Sequence, residues 1–134
     1  MSAYVPSERL YIFESAIDSM SHASLENITT GDTGAWKQHH RLSLSGTTDT
    51  AIPFFLNQHK AVKELVFCLD NDTAGRAAAV SMARKYTDKG YYTCLELPKG
   101  KDFNEDLQAL TVQIQAQKRT LNHTKNKHVG VDIC

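Results

Sequence analysis

The chain has 134 residues, 41% of them hydrophobic and 22% charged, with fifteen basic side chains against fifteen acidic ones. That length supports one domain with a core of its own, so no staple of disulfides or structural metal is required. A net charge of zero excludes global attraction to nucleic acid or anionic lipid and leaves only local patches for such contacts.

No apolar run approaches the roughly 20 residues of a membrane-spanning helix. The opening Met1-Ser2-Ala3-Tyr4-Val5-Pro6 has neither the charged nor the apolar region of a signal peptide. Cys68, Cys94 and Cys134 contain no C-x-x-C pair, and the histidines offer no zinc-ligand spacing around them. The expectation is a cytoplasmic chain with small reduced thiols, Cys68 and Cys94 lying in buried strands.

Leu10-Tyr11-Ile12-Phe13 is a continuous apolar run, as in a strand covered on both faces. Ile17, Met20, Ser24 and Ile28 then follow helical spacing, with Asp18 and His22 turned toward other faces. The segment from Thr29 to His40 holds two glycines, Trp36 and little apolar periodicity, and reads as loop. Arg41-Leu42-Ser43-Leu44-Ser45-Gly46 alternates like a shorter strand. A helix from about Thr50 to His59 carries Ile52, Phe54, Phe55 and Leu56, with Pro53 tolerable only in its first turn.

The third strand spans Glu64 to Leu69, and the helix after it runs to about Asp88 with Gly90 as its C-terminal cap. Tyr92 to Leu97 reads as a fourth strand halted by Pro98. A last helix begins near Phe103 and shows Leu107, Leu110, Ile114 and Leu121 on one stripe. Strands alternating with helices, without an internal repeat, argue for α/β architecture with parallel strands and helices on both faces. The folded unit is expected over 8–121, followed by a basic, disordered tail over 122–134. Lys118, Arg119, Lys125 and Lys127 fall where no acid occurs between Leu107 and Val131. Such a tail is either simply solvated or an electrostatic contact to a phosphate backbone.

The chemistry concentrates where the third strand ends. Asp70 and Asp72 close the most apolar short run, Leu65-Val66-Phe67-Cys68-Leu69, and Thr73-Ala74-Gly75-Arg76-Ala77-Ala78-Ala79 reads as the first turns of a helix. Glu14 holds the same topological place after the first strand. If those strands are neighbours, three carboxylates converge at one edge of the sheet. Like charges so placed repel unless a cation lies between them. Mg²⁺ suits that role, being a hard cation with oxygen ligands, and a carboxylate bound less tightly beside it can act as general acid or base. Asp72 as a plain helix cap and Glu14 as an ordinary strand-end residue are the competing assignments.

Glu14 after a first strand, then Asp18, then Leu69-Asp70-Asn71-Asp72-Thr73-Ala74-Gly75-Arg76-Ala77-Ala78 resembles the Toprim domain. That domain is shared by bacterial-type primases, type IA and type II topoisomerases, some nucleases and recombination-repair proteins. Ser43-Leu44-Ser45-Gly46 and Gly100-Lys101-Asp102-Phe103-Asn104-Glu105-Asp106-Leu107 are similar to stretches of the primase-like Toprim domains of plasmids and conjugative elements. The resemblance covers roughly residues 8 to 110. It implies a three-layer α/β/α, Rossmann-like fold with a mainly parallel sheet of about four strands. It also implies Mg²⁺, or Mn²⁺, as cofactor and nucleotidyl transfer or phosphodiester cleavage on DNA, RNA or nucleotides.

Carried over, Glu14 matches the general acid or base and joins Asp70 and Asp72 as a metal ligand. Asp18, Asn104 and Asp106 are candidates for supporting that centre, and Ser45, Gly46, Arg76 and Lys101 for touching substrate phosphates. Asp102 and Glu105 form an Asp-x-x-Glu capping pattern that explains both without chemistry. Ser15 stands where many relatives have glycine, which bears on how closely a phosphate approaches that backbone.

The leading function is therefore a Mg²⁺-dependent Toprim catalytic module of a mobile-element DNA primase, working with other domains of a larger parent and inactive when isolated. A non-catalytic module that binds nucleic acid or protein on the same scaffold is the alternative. An Asp-x-Asp-x-Thr phosphatase motif does not fit, because Ala74 replaces its threonine and the motif follows the third strand, not the first.

Overall fold

The computed structural model describes residues 7–120. The expected basic tail, together with Leu121 and Cys134, lies outside the described residues. Strands β1 (Arg9–Phe13), β2 (His40–Ser43), β3 (Glu64–Phe67) and β4 (Tyr92–Leu95) form one sheet in the order β2-β1-β3-β4. Every neighbouring pair is parallel. Helices α1 (Ala16–Thr30), α2 (Ala51–Gln58), α3 (Thr73–Asp88) and α4 (Phe103–Thr120) connect or follow the strands. Within the expected loop, Ala35–Gln38 forms a short 3-10 helix.

The alternation of side chains along β1 and β3 divides the core into two layers. Leu10, Ile12, Leu65 and Phe67 face α2 and α3, where Ile52, Leu56, Ala79, Met82 and Tyr86 cover them. Tyr11, Phe13, Val66 and Cys68 face the other way, toward Phe103 of α4 and the half-buried Leu25 of α1. This is the three-layer α/β/α arrangement. No described helix is long and apolar enough to cross a membrane.

The helix ends follow local chemistry. Ser15 caps α1 by accepting from the Asp18 amide, and Gly31 ends that helix at φ 70°. The third helix closes with the Gly90 amide on the Thr87 carbonyl and the Tyr91 amide on the Tyr86 carbonyl. Gly90 has φ 97°, a conformation that glycine adopts without penalty.

The face of α1 departs from the apolar stripe. Ile17, Met20 and Ile28 are 54%, 55% and 43% exposed, whereas Asp18, Ser19, Ser21 and His22 are buried. The cause is that the polar residues find partners beneath the helix. Ser21 donates to Asn104 at 3.4 Å, and His22 lies between Arg41 and Glu96. Arg41, on β2, is fully buried and pairs with Glu26, while its guanidinium stacks over Tyr11 at 5.2 Å. A helix lying on this half of the sheet thus meets an ionic network as well as an oily one.

Candidate metal centre

The strand order reverses its direction of growth between β1 and β3, which run side by side with Ile12 opposite Phe67. Residues that leave these strands at their carboxyl ends enter the same crevice. Glu14 follows β1 directly, and its Oε1 accepts the backbone N–H of Asp70 at 3.1 Å. The loop after β2 joins them, because the Gly46 amide donates to the Glu14 carbonyl at 2.9 Å.

Two helix starts bring further acids. Ser15 donates to Asp18 Oδ2 at 2.7 Å, and the Asn104 amide donates to Asp18 Oδ1 at 3.3 Å. That second bond ties the first turn of α4 to the first turn of α1. Asp102 is carried in with it. Its Oδ1 caps α4 by accepting the Glu105 amide at 2.8 Å. Asp18, Asp70 and Asp102 each place one carboxylate oxygen within 4.8 Å of the others.

Asp72 caps α3, with Oδ1 accepting the Gly75 amide at 2.7 Å. Gly75 is required for the close approach of this helix. A Cβ there would lie 2.2 Å from the Asp70 carbonyl and 2.7 Å from Glu14 Oε1. Asn71, between the two aspartates, stitches the crevice together. Its amide donates to the Lys101 carbonyl at 2.6 Å and its side chain donates to the Pro98 carbonyl at 3.1 Å. Sequence alone marks neither Asn71 nor, beyond its cap, Asp102 as part of this crevice. A side-chain amide inside an Asp-x-Asp motif was the available signal for the first, and nothing local signalled the second.

The remaining candidates serve the loops around the crevice. Asp106 accepts the Lys99 and Gly100 amides, both at 2.7 Å, and so closes the loop before α4. Arg76 donates to the Asn71 side chain at 2.8 Å. Lys101 is near enough to Glu14 for its charge to lower the carboxyl's hold on a proton. Ser45 has φ 56°, unusual for a side chain other than glycine, and Gly46 has φ 137°.

The electrostatics are those of a one-sign cluster. Desolvation, followed by the charges of Glu14, Asp18, Asp102 and Asp72, pushes the Asp70 carboxyl up to about 6. Desolvation also raises Glu14, opposed by the Asp70 amide. Among the described residues, none of these five carboxylates forms an ion pair. An all-oxygen donor set under mutual repulsion fits Mg²⁺ or Mn²⁺.

A second trio, His22, Cys68 and Glu96, also lies within 4.8 Å, although its sequence spacing gave no hint of it. It does not fit a metal. Arg41 donates to His22 Nδ1 from Nε at 3.3 Å, so the imidazole proton resides on Nε2 and is directed at Glu96 Oε1, 3.1 Å away. The nitrogen that faces Cys68 and Glu96 is therefore a donor, not a ligand.

A family model described as Toprim-like matches residues 11–107. No curated protein matches the chain. The fold is similar to that in the crystal structure of the primase fragment of bacteriophage T7 primase-helicase protein, at 18% identity and a TM-score of 0.56. That alignment covers 84% of this chain and 44% of the fragment, so the chain spans less than half of it. A putative protein from Aquifex aeolicus aligns over 78% of this chain and 80% of its own, at 14% identity and a TM-score of 0.45.

Proposed function

The chain belongs to the Toprim-like family, and from that premise we propose a Mg²⁺-dependent module that acts on the phosphodiesters of nucleic acid or on nucleotides. The observation that carries this reading is Asp70, held among four other carboxylates with no cationic side chain paired to any of them. By the resemblance Asp70 and Asp72 would hold the ion, joined by Glu14, while the carboxylate oxygens that lie within 4.8 Å of one another are those of Asp18, Asp70 and Asp102. When bound, the ion supplies neutralisation of the charge that builds on a phosphoryl group.

The chain's own residues do the rest. Glu14 carries the proton, because burial raises its affinity for one, opposed by the Asp70 amide and the charge of Lys101. Asn71 and Asn104 fix the loops that present the carboxylates. Ser45, Gly46, Arg76 and Lys101 remain the candidates for substrate phosphates. A mobile-element DNA primase is the parent that the Gly100–Leu107 and Ser43–Gly46 stretches favour, with template-holding domains outside this chain. A module that only binds nucleic acid or protein on the same scaffold is the alternative.

Calorimetric titration of Mg²⁺, together with primer synthesis and hydrolysis assays on the chain and on a longer parent, tests the proposal. Asp70→Asn should abolish both metal binding and turnover. Metal binding without turnover in the parent would leave the binding module standing, and activity unchanged by Asp70→Asn would sink the catalytic reading.

A further inference from the structure

The open edge of the sheet is a second site of a different kind. Among the described residues, strand β4 pairs only with β3. The Tyr92 amide donates to the Lys63 carbonyl at 2.9 Å and the Glu96 amide to the Phe67 carbonyl at 3.0 Å. Backbone groups alternate sides along a parallel strand, so Thr93 and Leu95 turn their N–H and C=O groups away from β3, toward the edge. Such a row of unpaired donors and acceptors is a template for another strand.

A groove runs along that edge. Val80, Ala83, Arg84 and Thr87 of α3 and Thr93 and Leu95 of β4 line a space of about 370 Å³. A second hollow shares Val80 and Arg84 with it and is lined by Arg76, Ala77 and Ser81 nearer the start of α3. The small residues make the trough, and Val80 is 40% exposed within it. Arg84 has no hydrogen bond or ion pair among the described residues, and Arg76 binds only the Asn71 side chain. Asp88 is the groove's single acid.

We infer that this groove docks an extended segment of a partner polypeptide, added to β4 as a further strand, with an apolar side chain over Val80 and Ala83 and acidic side chains on Arg84 and Arg76. The two arginines alone would suit any anion. The edge decides between classes, because exposed N–H groups alternate with exposed C=O groups, which a peptide backbone satisfies and a phosphate, an acceptor only, does not.

The probe is a fluorescent peptide with a central valine, glutamates two residues to either side and threonines between, so that all three recognition side chains share one face. The full chain should bind it saturably, and hydrogen exchange should slow at the Thr93 and Leu95 amides. Arg84→Glu should weaken binding by about tenfold, while Asp70→Asn should leave it unchanged, which separates this site from the acidic crevice. Absence of saturable binding would overturn the inference. So would equal binding of a peptide with prolines for threonines, since charge alone would then suffice. Displacement by a deoxythymidine oligonucleotide would assign the groove to nucleic acid instead, and a dimer dissolved by Arg84→Glu would assign it to a second copy.

Discussion

Helix α1 carries two polar clusters one turn apart, Asp18 in the crevice and His22 beneath the helix, and they differ in how their charges are answered. Around His22 the signs alternate. Glu26 pairs with Arg41, and Arg41 donates to His22, which donates to Glu96. Around Asp18 the charged groups closest to Asp70 are carboxylates, and desolvation together with their charges pushes the Asp70 carboxyl up to about 6. Buried charge that is answered within the chain is architecture; charge of one sign left unanswered is a request for something from solution. This contrast, rather than the mere presence of ligand-type residues, separates the Asp trio from the His-Cys-Glu trio.

The largest expected effect comes from breaking the answered cluster. Arg41→Met keeps much of the side-chain volume but removes the one cation that serves Glu26 and His22. Leaving such charges unpaired costs about 3 kcal/mol, with Glu26 partly exposed and therefore at the lower end of that class. Urea denaturation should show the loss directly, and Mg²⁺ affinity of the folded fraction should stay unchanged. A variant as stable as the parent would mean that the network is not what holds α1 to the sheet.

The unanswered cluster should respond to pH instead. The folded carboxyl of Asp70 titrates near 6 against 3.8 in the unfolded chain, so the folded state holds the proton more tightly. Without metal, stability should therefore fall as pH rises from 3.8 toward 6 and level off above. Metal must displace that proton, so Mg²⁺ affinity should drop about tenfold for each pH unit below that point. Calorimetry at a series of pH values checks this, and an affinity flat through the range would remove Asp70 from the ligand set.

These two clusters were unequally legible. Glu14, Asp70 and Asp72 stood out because each follows an apolar run, and the strand order then places Glu14 against Asp70. The first and third strands were legible for the same reason, as short apolar runs. The second, read from alternation over Arg41 to Gly46, runs His40–Ser43, and the fourth stops at Leu95 rather than Leu97. The buried face of α1 was not legible, because helical periodicity scores hydrophobicity while Asp18, Ser21 and His22 are buried through partners distant in sequence. The burial of Arg41 was equally out of reach. The alternation places Arg41 in the second strand but says nothing of its partners, and only the fold supplies Glu26, Trp36 and His22 around it. Asp102 was hidden by its own success as a cap, since one oxygen on the Glu105 amide accounts for the residue locally and says nothing of the other.

The same double use makes Asp72 the finest test of the comparison. Its Oδ1 holds the Gly75 amide, so removing the side chain with Asp72→Ala should cost about 1 kcal/mol through the start of α3. Asparagine keeps an acceptor oxygen in the same place and is an equally good cap. Asp72→Asn should therefore melt close to the parent while losing Mg²⁺ affinity, because an amide oxygen supplies a dipole where the carboxylate supplied a charge. If Asp72→Asn binds Mg²⁺ as well as the parent, Asp72 is a helix cap alone and the cation belongs to Asp18, Asp70 and Asp102. If both variants lose stability equally, the charge itself steadies the positive end of α3, and the crevice is less uniformly repulsive than its composition implies.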